Sequence, residues 1–307
     1  MLPIALTIIL DPATGQPMSS TTLRIGGYQA ETSILTRAVR HLAAALADAP
    51  GAGWQVEVIR DVTERGSRAV DLLSMVEEGS VEICYFASSY LAGRVVSLGA
   101  FDKPFGIVDR PRAYAELAGD LGPRLAGDVA RHTGYRVLGF WDNGFRHISN
   151  RLRPIRHPDD CRGLRIRTLD NAIYRQALAA MGFAPVTIDV KDLVGAVERH
   201  EVDAQENPLT NTLNFGLNRT HKHLSLTSHF WGVALLLANR AWLEALPPAM
   251  QSALAAAAAD ATTAQRQWAM AEDALCLERL RQDGVAVVPA EDIDLAAFRA
   301  AVRGLVA

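Results

Sequence analysis

Cysteine is scarce: the 307 residues include three, Cys84, Cys161 and Cys276, without paired or metal-type spacing. Neither a disulfide framework nor a zinc site is suggested, and an odd count leaves at least one thiol unpaired within the chain. All three read as reduced packing residues. Long apolar runs are missing too. No stretch approaches the roughly 20 residues a membrane span needs, so the chain is not expected to cross a bilayer. Charge of one sign is lacking: the formal net charge is -3 with both signs mixed, which gives no basic face for nucleic acid. There is no GxSxG elbow, no HExxH and no GxGxxG following a strand. No cofactor, metal or catalytic constellation is therefore expected. Internal repeats and an extended low-complexity linker are also absent.

Apolar residues make up 49% of the chain, enough to fill one large core or two ordinary ones, and this length favours two domains. Leu2 to Leu10 is apolar enough for a short signal core, but the first basic residue is Arg24 and no clear cleavage site precedes DPATGQPMSS. Residues 1–22 are read as a leader or a disordered tail. Strand and helix then alternate. Leu23 to Tyr28 reads as a strand ending at glycines, and Ser33 to Leu46 places Ile34, Leu35, Ala38, Val39, Leu42 and Leu46 on one helical side. Strands are expected at 54–59 and 81–86, with a helix at 69–77 between them. Further strands are expected at 135–140, 164–168, 224–226 and 233–238. Helices are expected at 171–181, at 192–199, and from about 248 to 283, where Gly284 supplies a stop signal. This alternation argues for an α/β sheet covered by helices.

Three short segments carry the functional signal: NGFRHISN (143–150), GLRIR (163–167) and QENP (205–208). Each places a carboxylate-compatible side chain beyond an extended apolar stretch. Arg167 is expected at a strand end and Arg146 in a turn after a strand, with a salt bridge to Asp142 as its alternative role. Asn207 is expected beside a proline-stiffened turn, with an Asx turn capped by Pro208 as its alternative. A guanidinium is planar, always charged and forked, so it grips a carboxylate through two parallel hydrogen bonds. In the same order lie GSVEI (79–83), RPIRHPDDCRGLRIRT (153–168), MGFAPV (181–186) and the TSH of 227–229. Together these segments resemble the solute-binding proteins of TRAP (tripartite ATP-independent periplasmic) transporters, from about Leu23 to the C-terminus. The departures, such as Arg60 and Glu64-Arg65 after the second strand and Lys103 before Pro104-Phe105, fall mainly in the first half.

The resemblance implies a two-lobed, periplasmic-binding-protein-like α/β fold with a ligand cleft between the lobes and a long C-terminal helix crossing both. The expected lobes are 23–143 with about 233–272, and 144–232 with about 273–307. It implies a periplasmic protein that binds a small organic acid and hands it to TRAP membrane permease subunits. The expected ligand residues are Arg167, Arg146 and Asn207, with Tyr28, Tyr90, Ser88, Asp170 and Trp231 shaping the walls. Gln205 and Glu206 are expected to secure the turn or hinge. His221 and His223 stand at strand spacing without a third ligand nearby. Two other functions share these residues: a sensor presenting the same ligand to a receptor, and a hydrolase or lyase using His147 or His229.

Overall fold

A computed structural model describes residues 21–49 and 53–305; the apolar segment 2–10 and the rest of residues 1–20 lie outside it. The chain opens as β1 (Thr21–Gly26), α1 (Ile34–Ala47), β2 (Trp54–Ile59), α2 (Asp71–Glu77) and β3 (Ile83–Ala87). Helix α1 begins where Ser33 Oγ accepts from Leu35 N at 3.1 Å, satisfying one of the free amides of its first turn. Its apolar side, including Leu35, Val39, Leu42 and Leu46, is buried as the spacing requires. Each such side chain contributes about 1.5–3 kcal/mol by leaving water. Between β1 and the next turn the backbone closes tightly. Gly27 N donates to Ile59 O at 2.8 Å, and a Cβ on Gly27 would stand 2.6 Å from Arg60 O.

Helices α3 (Arg110–Ala118) and α4 (Leu121–His132) follow, then β4 (Tyr135–Asn150), β5 (Arg165–Thr168), α5 (Ala172–Ala180) and β6 (Ala184–Thr187). Next come α6 (Val190–Glu198), β7 (Ala204–Pro208), α7 (Leu209–Asn214) and β8 (His223–Asn239). The chain finishes with α8 (Arg240–Ala245), α9 (Pro248–Gln282), β9 (Ala286–Val288) and α10 (Leu295–Ala301). The strands run in the order β2-β1-β3-β8-β4-β7-β5-β6, with β9 beside β8.

The sheet has two halves because β4 and β8 are long and antiparallel. Residues 135–142 of β4 face 233–239 of β8, which also pairs with β3; residues 146–150 of β4 pair with β7 and with the early part of β8. The short strands expected at 135–140, 224–226 and 233–238 are thus pieces of two continuous crossings. Polar residues interrupt the apolar alternation where the strands pass between lobes, so pattern alone ended them early. Each half has its own apolar filling. One core gathers Leu23, Tyr85 and Leu236 among others, and a second gathers Ile148, Ile166, Tyr174 and Phe298. Cys84 and Cys161 are buried one in each, and Cys276 is buried on the inner side of α9; all three are free.

Helix α9 spans 35 residues, about 52 Å at 1.5 Å per residue. Leu254, Ala258 and Ala261 pack in the first core, while Cys276 and Leu280 pack with Leu224 in the second half. Its middle is anchored by Gln265, fully buried, whose amide accepts from Asp142 N at 2.8 Å and donates to Asp142 O at 2.6 Å. Those backbone groups are free because the β4–β8 register shifts between Asp142 and Gly144, where Gly144 takes φ +92°. The helix ends as expected. Gly284 at φ +79° lets Val285 N reach Leu280 O, and the two side chains share one apolar cluster, a Schellman stop.

Candidate functional site

The C-terminal ends of β1, β3, β5 and β7 converge on one cleft, the place where open α/β sheets collect ligands. From the first half come Tyr28, Ala87 and Tyr90; Asn143 lies on the crossing strand; Arg146, Arg167 and Leu169, Val190 of α6, and Asn207, Asn211 and Phe215 come from the second. Free space inside is about 30 Å³, far below the roughly 300–1,000 Å³ of typical ligand pockets. A ligand can reach the inside only if the walls separate. A wider hollow of about 630 Å³ beside Asn214 and Lys222 is a surface depression of mixed charge, with Asp283 already held by Asn218 and Arg279.

Arg167 is 2% exposed. Its Nε donates to Ile188 O at 2.8 Å, but its Nη2 is buried without a hydrogen bond, and no carboxylate among the described residues pairs with it. A buried charge is normally paired. For Arg167 none of the described residues supplies that partner. Tyr90 lies alongside: burial raises its phenol, and the positive charge of Arg167 opposes that rise.

Arg146 is equally buried but already matched. It sits within β4 rather than in a turn, opposite Pro208 of β7, and its partner is Glu206 rather than Asp142. Nε meets Glu206 Oε2, and Nη2 donates to Glu206 Oε1 at 2.9 Å, to Glu206 O at 2.7 Å and to Asn207 Oδ1 at 3.2 Å. Asp142 instead takes Arg110 at 3.0 Å, Tyr114 and Trp231. Burial would raise the Glu206 carboxyl, yet Arg146 and the adjoining His229 hold it down at about 2. Thr168 Oγ1 also donates to it, at 3.1 Å. Burial in turn weighs against the Arg146 charge, but Glu206 more than offsets this and raises its pKa.

Amides stand beside the arginines. Asn207 also lies in a strand, not a turn: its Nδ2 donates to Gln205 Oε1 at 2.6 Å, and its Oδ1 receives Arg146. Asn143 Oδ1 is buried without any partner.

The structure therefore brings Arg167, Arg146, Asn207, Tyr28 and Tyr90 to one cleft and leaves three expected wall residues outside it. Ser88 is buried in the short helical turn after β3 and is not a lining residue, although Ala87 before it and Tyr90 in the same turn are. Asp170 points outward to Arg175 at 2.6 Å, because α5 starts immediately after it and carries Arg175 to the surface side. Trp231 is 2% exposed and packs with Phe101 and Tyr114 in the first core. Asn143, Asn211 and Phe215 are lining residues that the sequence reading missed. Asn143 was inside a flagged segment, but Asn211 and Phe215 lie on and after α7, which carried no periodic signal. His147 and His221 are buried, and burial lowers them to about 3 and about 4. No group of three metal-ligating side chains occurs among the described residues.

The family described as bacterial extracellular solute-binding protein, family 7, matches residues 25–307. A solute-binding protein of Verminephrobacter eiseniae is 30% identical over 286 residues, covering 92% of this chain and 83% of the other. The 2,3-diketo-L-gulonate-binding periplasmic protein of Escherichia coli is 26% identical, with 92% and 84% covered. A TRAP periplasmic solute-binding protein from Polaromonas sp. JS666, solved bound to D-erythronate, superposes with a TM-score of 0.87 at 26% identity, covering 92% of each chain. The two-lobed α/β architecture, the cleft at the strand ends and the crossing helix α9 are accounted for together: the chain belongs to family 7 of the bacterial extracellular solute-binding proteins, the binding proteins of TRAP transporters.

Proposed function

We propose that this protein captures a small organic acid in the cleft, outside the cytoplasm, and delivers it to the membrane subunits of a TRAP permease. One observation carries the reading: Arg167 is buried with an unpaired Nη2 and no carboxylate partner among the described residues. A ligand carboxylate completes it, with Arg146, Asn207, Tyr28 and Tyr90 closing around the remainder. The acids held by relatives, D-erythronate in the Polaromonas protein and 2,3-diketo-L-gulonate by name in the E. coli protein, support a carboxylate. The lobes are read as 23–143 with about 233–272, and 144–232 with about 273–307, so that the crossings near 142–146 and 231–233 form the hinge. A binding role rather than hydrolysis or lysis is supported by the cleft lining, whose charged members are two arginines and no acid–base pair. The periplasm is the compartment of this reading.

A thermal-shift screen against a library of organic acids tests it. A ligand bound only by the folded chain at a hundred times its dissociation constant stabilises by about 2.7 kcal/mol. For the acid so found, its methyl ester and amide are expected to bind at least tenfold more weakly, since they leave the Arg167 fork unpaired. Equal affinity for acid and ester rules the carboxylate reading out.

A further inference from the structure

We infer that Glu206 acts as a charge filter, so that the cleft accepts a hydroxylated acid with a single carboxylate and disfavours a second. The inference rests on the reading of the cleft as an organic-acid site and specifies the acid. Two guanidinium groups line the cleft, which at first sight suits a dicarboxylate. Only one of them has charge to offer. Glu206, fully buried, bonds Arg146 through both carboxylate oxygens and accepts a further bond from Thr168. Arg146 enters binding as a neutralised pair. Arg167 alone keeps an unmatched positive charge. A second ligand carboxylate at Arg146 would meet the buried Glu206, where like charges repel more strongly than in bulk water.

The remaining charged and titratable groups point the same way. His229, 3.8 Å from Glu206, and His147 are both pushed toward the neutral form by burial, so neither supplies a second positive charge near neutral pH. Asp102, also buried, accepts from Ser89 Oγ at 2.7 Å and from Asn171 Nδ2 at 2.8 Å. Any charge it carries adds to the negative side. The unpaired groups that remain call for hydroxyls. Asn143 makes no side-chain hydrogen bond among the described residues, and a hydroxyl can donate to its oxygen or accept from its nitrogen.

The test is calorimetric titration of the full chain with acids matched in carbon number. The pairs are D-erythronate against tartrate and galactonate against galactarate, with butanoate as the acid lacking hydroxyls. The expected result is monoacid affinity at least tenfold above that of the matched diacid, and D-erythronate at least tenfold above butanoate. Glu206→Gln, which keeps the shape and removes the charge, is expected to move the monoacid-to-diacid ratio at least tenfold toward the diacid. A diacid that binds the parent protein as well as its monoacid overturns the filter while leaving the carboxylate reading standing. So does a Glu206→Gln ratio equal to the parent's. If that variant does not fold, the parent ratios alone decide. If no acid of the panel binds, the inference of a hydroxylated monoacid is overturned, while the carboxylate reading is decided by the library screen and the acid-to-ester comparison.

Discussion

Arg146 and Arg167 lie in the same cleft at nearly equal burial, 4% and 2% exposed, yet Arg146 is bonded to Glu206 while Arg167 has no acidic partner among the described residues. The difference separates stability from binding. Removing one member of a buried ion pair strands the other, at about 3–5 kcal/mol. Removing a buried charge that has no partner relieves a cost. Arg146→Met is therefore expected to destabilise the ligand-free protein by about 3–5 kcal/mol, and Arg167→Met to leave stability unchanged or raised. Chemical denaturation of both variants checks the contrast. Equal losses would mean that Arg167 has an internal partner.

Arg167→Lys keeps the charge and discards the fork. An exposed ion pair is worth about 0–1 kcal/mol and would tolerate lysine, whereas a bidentate grip in a closed cleft would not. Affinity for the screened acid is expected to fall at least tenfold, about 1.4 kcal/mol, while the ligand-free melting temperature stays within a few degrees of the parent. Arg156→Lys, at an exposed position outside the cleft, is the control and is expected to bind normally. Parent-like binding by Arg167→Lys removes Arg167 from the ligand site.

The cleft is narrow and its rim is bridged from both sides. Lys191 Nζ donates to Gly66 O at 2.9 Å, and Thr32 Oγ1 donates to Asn214 Oδ1 at 2.7 Å. Each bond joins a turn beyond β1 or β2 to a helix that follows β6 or β7. They are expected to break on opening and form on closure, so small-angle scattering is expected to give a smaller radius of gyration with saturating acid than without. An identical profile in both conditions argues against a hinge.

Acid is expected to weaken the fold in two stages. Burial lowers His147 from 6.5 to about 3 and His221 to about 4. The unfolded chain therefore binds more protons than the folded one below about pH 6.5. The stability from these neutral histidines is complete above that pH and declines as pH falls, by at most about 1.4 kcal/mol per pH unit per group. Glu206, lowered from 4.5 to about 2 by its neighbours against the effect of burial, adds a second loss from pH 4.5 downward. Urea midpoints at pH 7, 5 and 4 are expected to fall in that order, with a shallower decline for His147→Asn. A flat midpoint from pH 7 to 5 contradicts the buried, neutral histidines.

Much of this was present in local pattern. The one-sided burial of α1, the glycine stop after α9 and the short strand that carries Arg167 follow from spacing and propensity, which act within a few residues. The cleft residues most visible in sequence, Arg146, Arg167 and Asn207, sit in short distinctive segments. Partner choice was not visible. Asp142 lies four residues from Arg146 in sequence, yet Arg146 bonds Glu206, 60 residues away, because β4 and β7 are neighbours in register. Trp231 looked like a wall and is core because β8 turns that face toward Phe101 and Tyr114.

By itself the sequence determined the alternation of elements, which neighbours along the chain encode, while the two-lobed class and the carboxylate-compatible residues came from the resemblance of short segments to TRAP solute-binding proteins. Tertiary structure alone decided which arginine keeps its charge available. That depends on how near a glutamate lies once antiparallel strands are paired, and strand register is a long-range property that no short segment specifies.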